Sequence, residues 1–435
     1  MAESDEVISA MLDLARDRRF VALRARARRA PLGRAEFDLL PKPDGYPPDK
    51  VWDLLNALRR QTAVTTPCPD ARGRVGWYSV TNSIMEDCGV IDRRCCEGSR
   101  LATAIAGHDA LNLMLEQVVR EARCVLVSDG VRLGYEETRA VVAGAAQPVT
   151  AEQRIVSNAV AILYETPRLA RGEVDEALVM GLRTRLGWRV GADVRMEPPR
   201  PGELARRFDR IWTASGLTRD EAVSTVLSIA NGWSVDPAEH PLLRCLAIDD
   251  VLTHSPVLPS LRATVSWLLA RILVTRAGLP ALAFMPVHDV VRQWAHGELR
   301  PRVVDMGQDE SAVMVGDTVD FTGNVAGTVE LVREAVEEVD ERIADVVARE
   351  DLVDERLGRR FRLNHRQRCV LRQALSDPNA HFRIATHQRA YGVAYATARA
   401  DLLGLERLGI LARVESGRAF DFVPRRDIGP LLGGA

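Results

Sequence analysis

Apolar residues recur every three or four positions along most of this chain, which is the spacing of one face of an α-helix. The clearest stripe runs from Asp109 to Leu126. Strand signals are sparse: GRVGWYSVT alternates and predicts a short hairpin, whereas the Pro- and Gly-rich PLGRAEFDLLPKPDGYPPDK predicts irregular structure. The pattern therefore predicts a mainly α protein. Besides the stripe, the predicted helices span 6–30, Val51–Arg60, Ala151–Tyr164, Glu173–Leu186, Gly202–Ala214, Thr218–Asn231, Pro241–Leu252 and Leu261–Ala277.

A long, strongly charged segment from Gly327 to Arg356 carries Val and Ile at steps of three and four. A helix of that length spans about 45 Å, enough to connect two modules. The predicted organisation is therefore an accessory region at 1–105, a helical core at 106–326, a linking helix at 327–356 and a C-terminal domain at 357–435.

The C-terminal domain has the order of elements of a winged helix. NHRQRCVLRQAL predicts a first helix with Asn364 as N-cap, and THQRAYG predicts a second helix that stops at Gly392. AYATARADLLGLERLGI predicts a third helix whose inward face is Ala398, Leu402, Leu405 and Leu408. Residues 382–384 predict a short edge strand, and LARVESGRAFDFVP predicts a hairpin that turns at Ser416 and Gly417. The switch from helical to alternating periodicity at this point is typical of the fold.

Charge makes this domain a candidate for binding double-stranded DNA. From Leu357 onward there are 14 Arg and 6 acidic residues, a local excess of positive charge within a chain of net charge −2. The third helix would lie in the major groove and the hairpin would reach the backbone. The alternative is a winged helix that binds protein or dimerises. The predicted DNA-binding residues are His387, Gln388, Arg389, Tyr395, Thr397, Arg399, Arg413 and Arg418.

The overall composition gives little indication of other binding partners. The 46% hydrophobic and 27% charged content is that of an ordinary globular protein. Lys occurs only at Lys42 and Lys50 among 58 basic residues, a bias typical of GC-rich bacterial genomes. Seven dispersed cysteines without metal-ligand spacing favour neither a disulfide framework nor a metal site. The acidic start and the absence of a long apolar run predict a cytoplasmic protein without a membrane partner.

Several stretches of the chain, in collinear order, resemble the Fic family of nucleotide-transfer proteins. YEETRAVVAG and EQRIVSNAVAI resemble the segment after the family's inhibitory helix, and VDEALVMGLRTRL resembles the next helix, with Arg183 where His is common. MEPPRPGELARRFDRIW, HPLLRCLAIDDVLT and LLARILVTRAGLPALAF resemble the segments around the active site, and LNHRQR through FVP resembles the family's winged helix. The resemblance implies a Fic-like helical core with an N-terminal helical accessory region and a C-terminal winged-helix domain.

In that family the motif HPFx[DE]GNGR transfers AMP to a protein hydroxyl. Its His is the general base, its acidic residue holds Mg²⁺, and its Gly-rich turn and Arg hold the phosphates. Counting without gaps from His240 leaves no base, metal ligand or glycine turn in this chain, and the resemblance therefore implies that family-type transfer has been lost. The nine positions are held by Pro256, Val257, Leu258, Pro259, Ser260, Leu261, Arg262, Ala263 and Thr264.

Shifting the alignment by two residues places His254 and Arg262 at the motif's His-to-Arg spacing, yet Leu258 then replaces the metal ligand and Pro259 removes an N–H from the phosphate site. The family's inhibitory motif [ST]xxxE[GN] is degenerate as well, since aligning back from Thr138 and Arg139 places Gly134 at the Glu position.

Three functions stay open at this stage. The chain is expected to be a catalytically degenerate scaffold that senses a ligand or partner and binds DNA through its winged helix. The alternatives are a repurposed enzyme using the former nucleotide cleft and a divergent AMP-transferase. The candidate catalytic residues are His254, Ser260, Arg262 and Thr264. Neither a cofactor nor a metal is predicted, His288 and His296 are assigned surface or packing roles, and a homodimer is expected because both resembled folds often dimerise.

Overall fold

The structure, a computed structural model, describes residues 12–70, 72–107, 111–190, 216–232, 240–304, 313–358, 363–416 and 419–425. The described part is mainly helical, as the sequence predicts. Its helices are α1 Arg18–Arg29, α2 Arg34–Leu39, α3 Pro48–Arg60, α4 Asn82–Cys95, α5 Arg100–Gly107, α6 Leu111–Ser128, α7 Tyr135–Val142, α8 Ala151–Leu169, α9 Glu176–Leu186, α10 Arg219–Asn231, α11 Pro241–His254, α12 Arg262–Arg276, α13 Val287–Ala295, α14 Thr322–Gly358, α15 His365–Ser376, α16 Ile384–Tyr391 and α17 Tyr395–Arg407. Its strands are β1 Val64–Thr65, β2 Gly76–Tyr78, β3 Val313–Val315, β4 Thr318–Asp320, β5 Leu411–Ser416 and β6 Ala419–Pro424.

Several helix ends lie where the side chains favour them. Thr150 and Asn364 each form a capping box at the start of a helix, in which the cap side chain accepts the N–H of the third helical residue. Gly392 ends α16 in the left-handed region at φ 60°. The predicted helix Gly202–Ala214 lies outside the described residues.

Two local predictions were wrong. GRVGWYSVT does not fold back on itself, because Gly76–Tyr78 is one strand that pairs with β1 on one side and with distant β4 on the other, in a sheet of order β1-β2-β4-β3. The Pro- and Gly-rich segment after Ala30 contains a short helix, Arg34–Leu39, which buries Phe37. Neither the distant pairing of β2 with β4 nor the burial of Phe37 can be predicted from the local sequence.

Helix α12 lies in the middle of the main core. From Ala263 to Leu269 every residue is buried, and Trp267 is among the largest fully buried side chains. Helices α6, α8 and α11 pack around it, so that even its polar residues Thr264, Ser266 and Arg271 are buried. Among the described residues, no helix is both long enough and apolar enough to cross a bilayer.

Two smaller hydrophobic clusters flank the main core. One joins α1, α2 and α3 through residues such as Phe20, Phe37 and Leu55. The other fills the C-terminal domain, where Leu402, Leu405 and Phe422 are buried between the helices and the β5–β6 hairpin. The expected edge strand is a single bridge between Phe382 and Phe422. Leu408, expected to face inward, is 38% exposed because it lies past the end of α17.

Candidate functional site

The loop between α11 and α12 contains most of the positions that the sequence analysis aligns with the resembled motif, and several of its side chains are apolar and buried. Val257 and Leu258 are 2% and 0% exposed, and Leu261 is 4% exposed. Leu261 adopts φ 57°, a left-handed conformation that is costly for a residue with a branched side chain. Burial of these three side chains holds the loop against the core, so the loop is a packed segment rather than an open phosphate cradle.

The start of α12 is capped from a distant part of the chain. The Asp129 carboxylate accepts the backbone N–H of Ala263 at 3.1 Å and that of Thr264 at 2.8 Å. It also accepts the Thr264 hydroxyl at 2.6 Å. Free N–H groups at a helix start are a ready site for an anion, and here a carboxylate of the chain itself fills it.

Desolvation raises the pKa of the Asp129 carboxyl above its usual range, and the nearby charge of Asp249 acts in the same direction. Hydrogen bonds from Thr264 and Ala263 oppose that rise. Burial therefore disfavours the charged form of Asp129, and the hydrogen bonds from the start of α12 stabilise that form.

Each of the four candidate catalytic residues forms hydrogen bonds within the chain, and His254 and Arg262 both contact Thr253. Exposed His254 ends α11 and lies 3.0 Å from the Asp250 carboxylate. Partial desolvation lowers the pKa of His254, but the hydrogen bond and charge of Asp250 outweigh it and the pKa lies above its usual value. The Ser260 hydroxyl accepts weak hydrogen bonds from Arg183 at 3.3 and 3.4 Å.

Arg262 and Thr264 both act on the loop itself. The Arg262 guanidinium donates to the carbonyl of Leu258 at 2.7 Å and to that of Thr253 at 3.3 Å. The Thr264 side chain is fully buried against Asp129.

His288, for which the sequence predicts a surface or packing role, lies in a polar cluster with Glu121 of α6 and Asp249 of α11. His288 donates its backbone N–H and directs its ring Nδ1 to the Glu121 carboxylate, at 2.9 and 2.8 Å. Its Nε2 lies 3.6 Å from the Asp249 carboxylate. Burial lowers the pKa of His288, but hydrogen bonds to Asp249 and Glu121 outweigh it and raise the pKa to about 10. A histidine that stays protonated is a cationic link between helices rather than a general base at neutral pH. His296 lies on the surface, as expected.

No group of three His, Cys, Asp or Glu side chains suited to a metal ion occurs in the ranges that the structure covers. Burial raises the pKa of the Cys88 and Cys245 thiols to about 12. These two thiols are therefore protonated at neutral pH and poorly nucleophilic.

The predicted DNA-binding residues of α17 lie near its start, where Tyr395 and Arg399 share one side of the helix and Thr397 does not. Tyr395 is 55% exposed, Arg399 is exposed and Thr397 is half-buried. On α16, Arg389 is exposed and Gln388 is half-buried. These side chains lie around the step from α16 to α17, the part of a helix-turn-helix that faces DNA.

The remaining predicted contacts are placed differently. His387 is 6% exposed and its ring Nε2 lies 3.3 Å from the buried Asp401 carboxylate, so its side chain belongs to the interior of the domain. Arg413 donates two hydrogen bonds to Glu406, at 3.1 and 2.7 Å. Arg418 lies outside the described residues.

Asp129 is the residue at this site that the sequence analysis missed. It directly follows α6 and precedes Gly130, but it does not match the resembled inhibitory motif, which has Glu at this position and Ser or Thr where Val125 stands. An acidic residue at the end of the predicted helix was the available signal.

Comparisons with known proteins match this chain to solved structures only. No protein-family model matches the chain, and no curated protein matches it. Eight chains of solved structures do match. One is a Fic family protein from Desulfovibrio desulfuricans G20, with 15% sequence identity and a TM-score of 0.40, over 80% of this chain and 98% of that chain.

Proposed function

We propose that this chain is a catalytically degenerate protein with a Fic-like helical core, which serves as a scaffold that senses a ligand or a partner. We propose further that its C-terminal winged helix binds double-stranded DNA. On this proposal the loop between α11 and α12 does not bind a nucleotide but packs α11 and α12 against the end of α6.

The observation that carries the scaffold proposal is the position of the Asp129 carboxylate on the first amides of α12. A triphosphate bound at this helix start would have to displace that carboxylate and would meet its negative charge. The space that a metal-holding side chain would need is taken by Leu258, which is completely buried. Loss of the base, the metal ligand and the free amides together leaves no step of AMP transfer supported by these side chains.

The DNA proposal is supported by the order of elements in the C-terminal domain and by exposed groups at the start of α17. Tyr395 and Arg399 can reach base edges from a helix in the major groove, and Arg389 on α16 can reach the backbone. The local Arg excess supplies the salt-dependent attraction that phosphate contact needs.

The scaffold proposal is tested with the full chain and radiolabelled ATP in the presence of Mg²⁺. We expect no label on this chain or on added proteins, and no rise in unfolding temperature with ATP. Label that disappears in a His254→Ala variant would overturn the proposal and restore the divergent transferase.

The DNA proposal is tested by fluorescence anisotropy of labelled duplexes with the full chain over a series of salt concentrations. We expect affinity that falls as salt rises, and an Arg399→Ala loss of about 5- to 10-fold, typical of one backbone or base contact. Arg407→Ala is the matched control, because Arg407 is an exposed arginine at the far end of the same helix. Equal losses in both variants, or no binding at low salt, would contradict the proposed mode.

A further inference from the structure

The C-terminal domain is attached to the main core through the segment around α7. Arg139 on α7 forms a 2.8 Å ion pair with Asp377, which lies just past the end of α15. In the turn after α7, the carbonyl oxygens of Gly144 and Ala145 accept hydrogen bonds from Arg383, at 3.0 and 3.2 Å. The two contacts lie on neighbouring parts of the domain, before and after the Phe382 bridge.

Arg383 uses both edges of its guanidinium in this arrangement. One edge donates to the buried Asp421 carboxylate of β6, with Nε 2.7 Å and Nη2 3.1 Å from its oxygens. The Asp421 hydrogen bond raises the pKa of Arg383 and fixes the plane of the group. Nη1 and Nη2 then point their second edge at the two carbonyl oxygens of the turn, so the guanidinium is oriented before any ligand arrives.

The covered surface is the part of a helix-turn-helix that meets the DNA backbone. Arg383 is the N-cap residue of α16, the first helix of the pair, and that helix crosses the phosphate backbone when the second lies in the major groove. A Cβ placed on Gly144 would lie 3.8 Å from the hydroxyl oxygen of Thr386 in the first turn of α16. The turn therefore contacts Arg383 and lies near Thr386, which stays exposed.

We propose that Arg383 and the start of α16 form a phosphate-binding surface, and that the Gly144–Ala145 turn and duplex DNA compete for it. This inference rests on the proposed DNA binding. The two carbonyl oxygens accept from one edge of the Arg383 guanidinium, as two oxygens of a phosphate group can. The turn and a DNA phosphate therefore cannot bind this edge at the same time. The docked domain binds DNA weakly on this surface until α7 and its turn move away.

The experiment uses the full chain and compares Arg139→Ala with Arg132→Ala. Arg139→Ala cuts the Asp377 ion pair from the core side and leaves the C-terminal domain unaltered. Arg132→Ala removes the same charge from an exposed position three residues before α7. We expect Arg139→Ala to bind duplex DNA about 2- to 5-fold more tightly than wild-type protein, the size of one partly exposed ion pair, and Arg132→Ala to bind no more tightly.

Hydrogen exchange of residues 384–391 reports docking without DNA and should be faster in Arg139→Ala. Asp377→Asn removes the same ion pair from the side of the C-terminal domain and should also speed exchange. Because it leaves α7 unaltered, it excludes local misfolding of α7 as the cause. Wild-type binding with equal affinities for Arg139→Ala and Arg132→Ala would overturn the competition and leave the DNA proposal standing. No binding by any variant at low salt would overturn the DNA proposal, and the competition with it.

Discussion

Replacing Asp129 by Ala removes three hydrogen bonds from the start of α12 at once. Loss of an N-cap side chain costs about 0.5–2 kcal/mol. The buried Thr264 hydroxyl also loses its acceptor, and an unsatisfied buried polar group costs about 1–3 kcal/mol. Because α12 lies in the middle of the main core, no solvent is at hand to replace the carboxylate at the Thr264 side chain, which is 0% exposed. We expect Asp129→Ala to lower the free energy of unfolding by about 2–4 kcal/mol.

Thermal unfolding followed by circular dichroism measures this effect, and the expected fall in unfolding temperature is roughly 5–15 °C for a core of this size. Asp129→Asn is the matched control, because its amide oxygen still accepts one N–H while its NH₂ faces the other donor. It should lie between wild-type protein and Asp129→Ala. An Asp129→Ala protein that unfolds within about 1 °C of wild type would refute the capping role.

Two further predictions concern the same region. His288 has its pKa raised to about 10 from 6.5, so its stabilisation is complete below pH 6.5 and is lost as the pH rises toward 10. Urea unfolding over that range should show a steeper loss in wild-type protein than in His288→Gln. Leu258→Asp should cost about 3 kcal/mol or more by burying a carboxyl without a partner, and should not produce ATP-dependent labelling; unfolding and label assays decide both.

Periodicity predicted most of the described helices because their packing follows from one face of the local sequence. The α6 stripe is buried at Leu113, Val119 and Val125, as its spacing indicates. The capping residues Asn364 and Gly392 act within a few residues of themselves, and both lie where the sequence places them. Local patterns suffice where local contacts decide.

The sheet escaped prediction because its pairing is distant in sequence. Strand β2 pairs with β4 about 240 residues later, with the partners Gly76–Val319 and Trp77–Asp320. The buried ion pair that fixes this contact joins Arg59 to Asp320 at 2.8 Å. Strands of two or three residues carry too little alternation to be read alone, and no residue in GRVGWYSVT indicates a partner on the other side of the core.

In the candidate site, too, local features could be predicted and distant contacts could not. The difference from the resembled motif can be read from the sequence, and so can the apolar character of Val257 and Leu258. The capping of α12 by Asp129 cannot, because Asp129 lies 134 positions before Ala263 and accepts its backbone N–H. A backbone donor has no sequence signature. The partner of a helix start so distant in the chain can therefore be identified only from the fold.

Asp129 and the Gly144–Ala145 turn lie at the two ends of one short segment that contains α7. At one end the segment supplies the negative charge that α12 needs, and at the other it supplies the oxygen atoms that Arg383 holds. Thr138, in the middle, is fully buried and anchors α7 to the core. A change at the closed loop that moved Asp129 would therefore act on the same segment that covers the start of α16. On the proposed function, this placement gives a sensing core a direct physical route to its DNA-binding domain, since both contacts depend on where α7 lies.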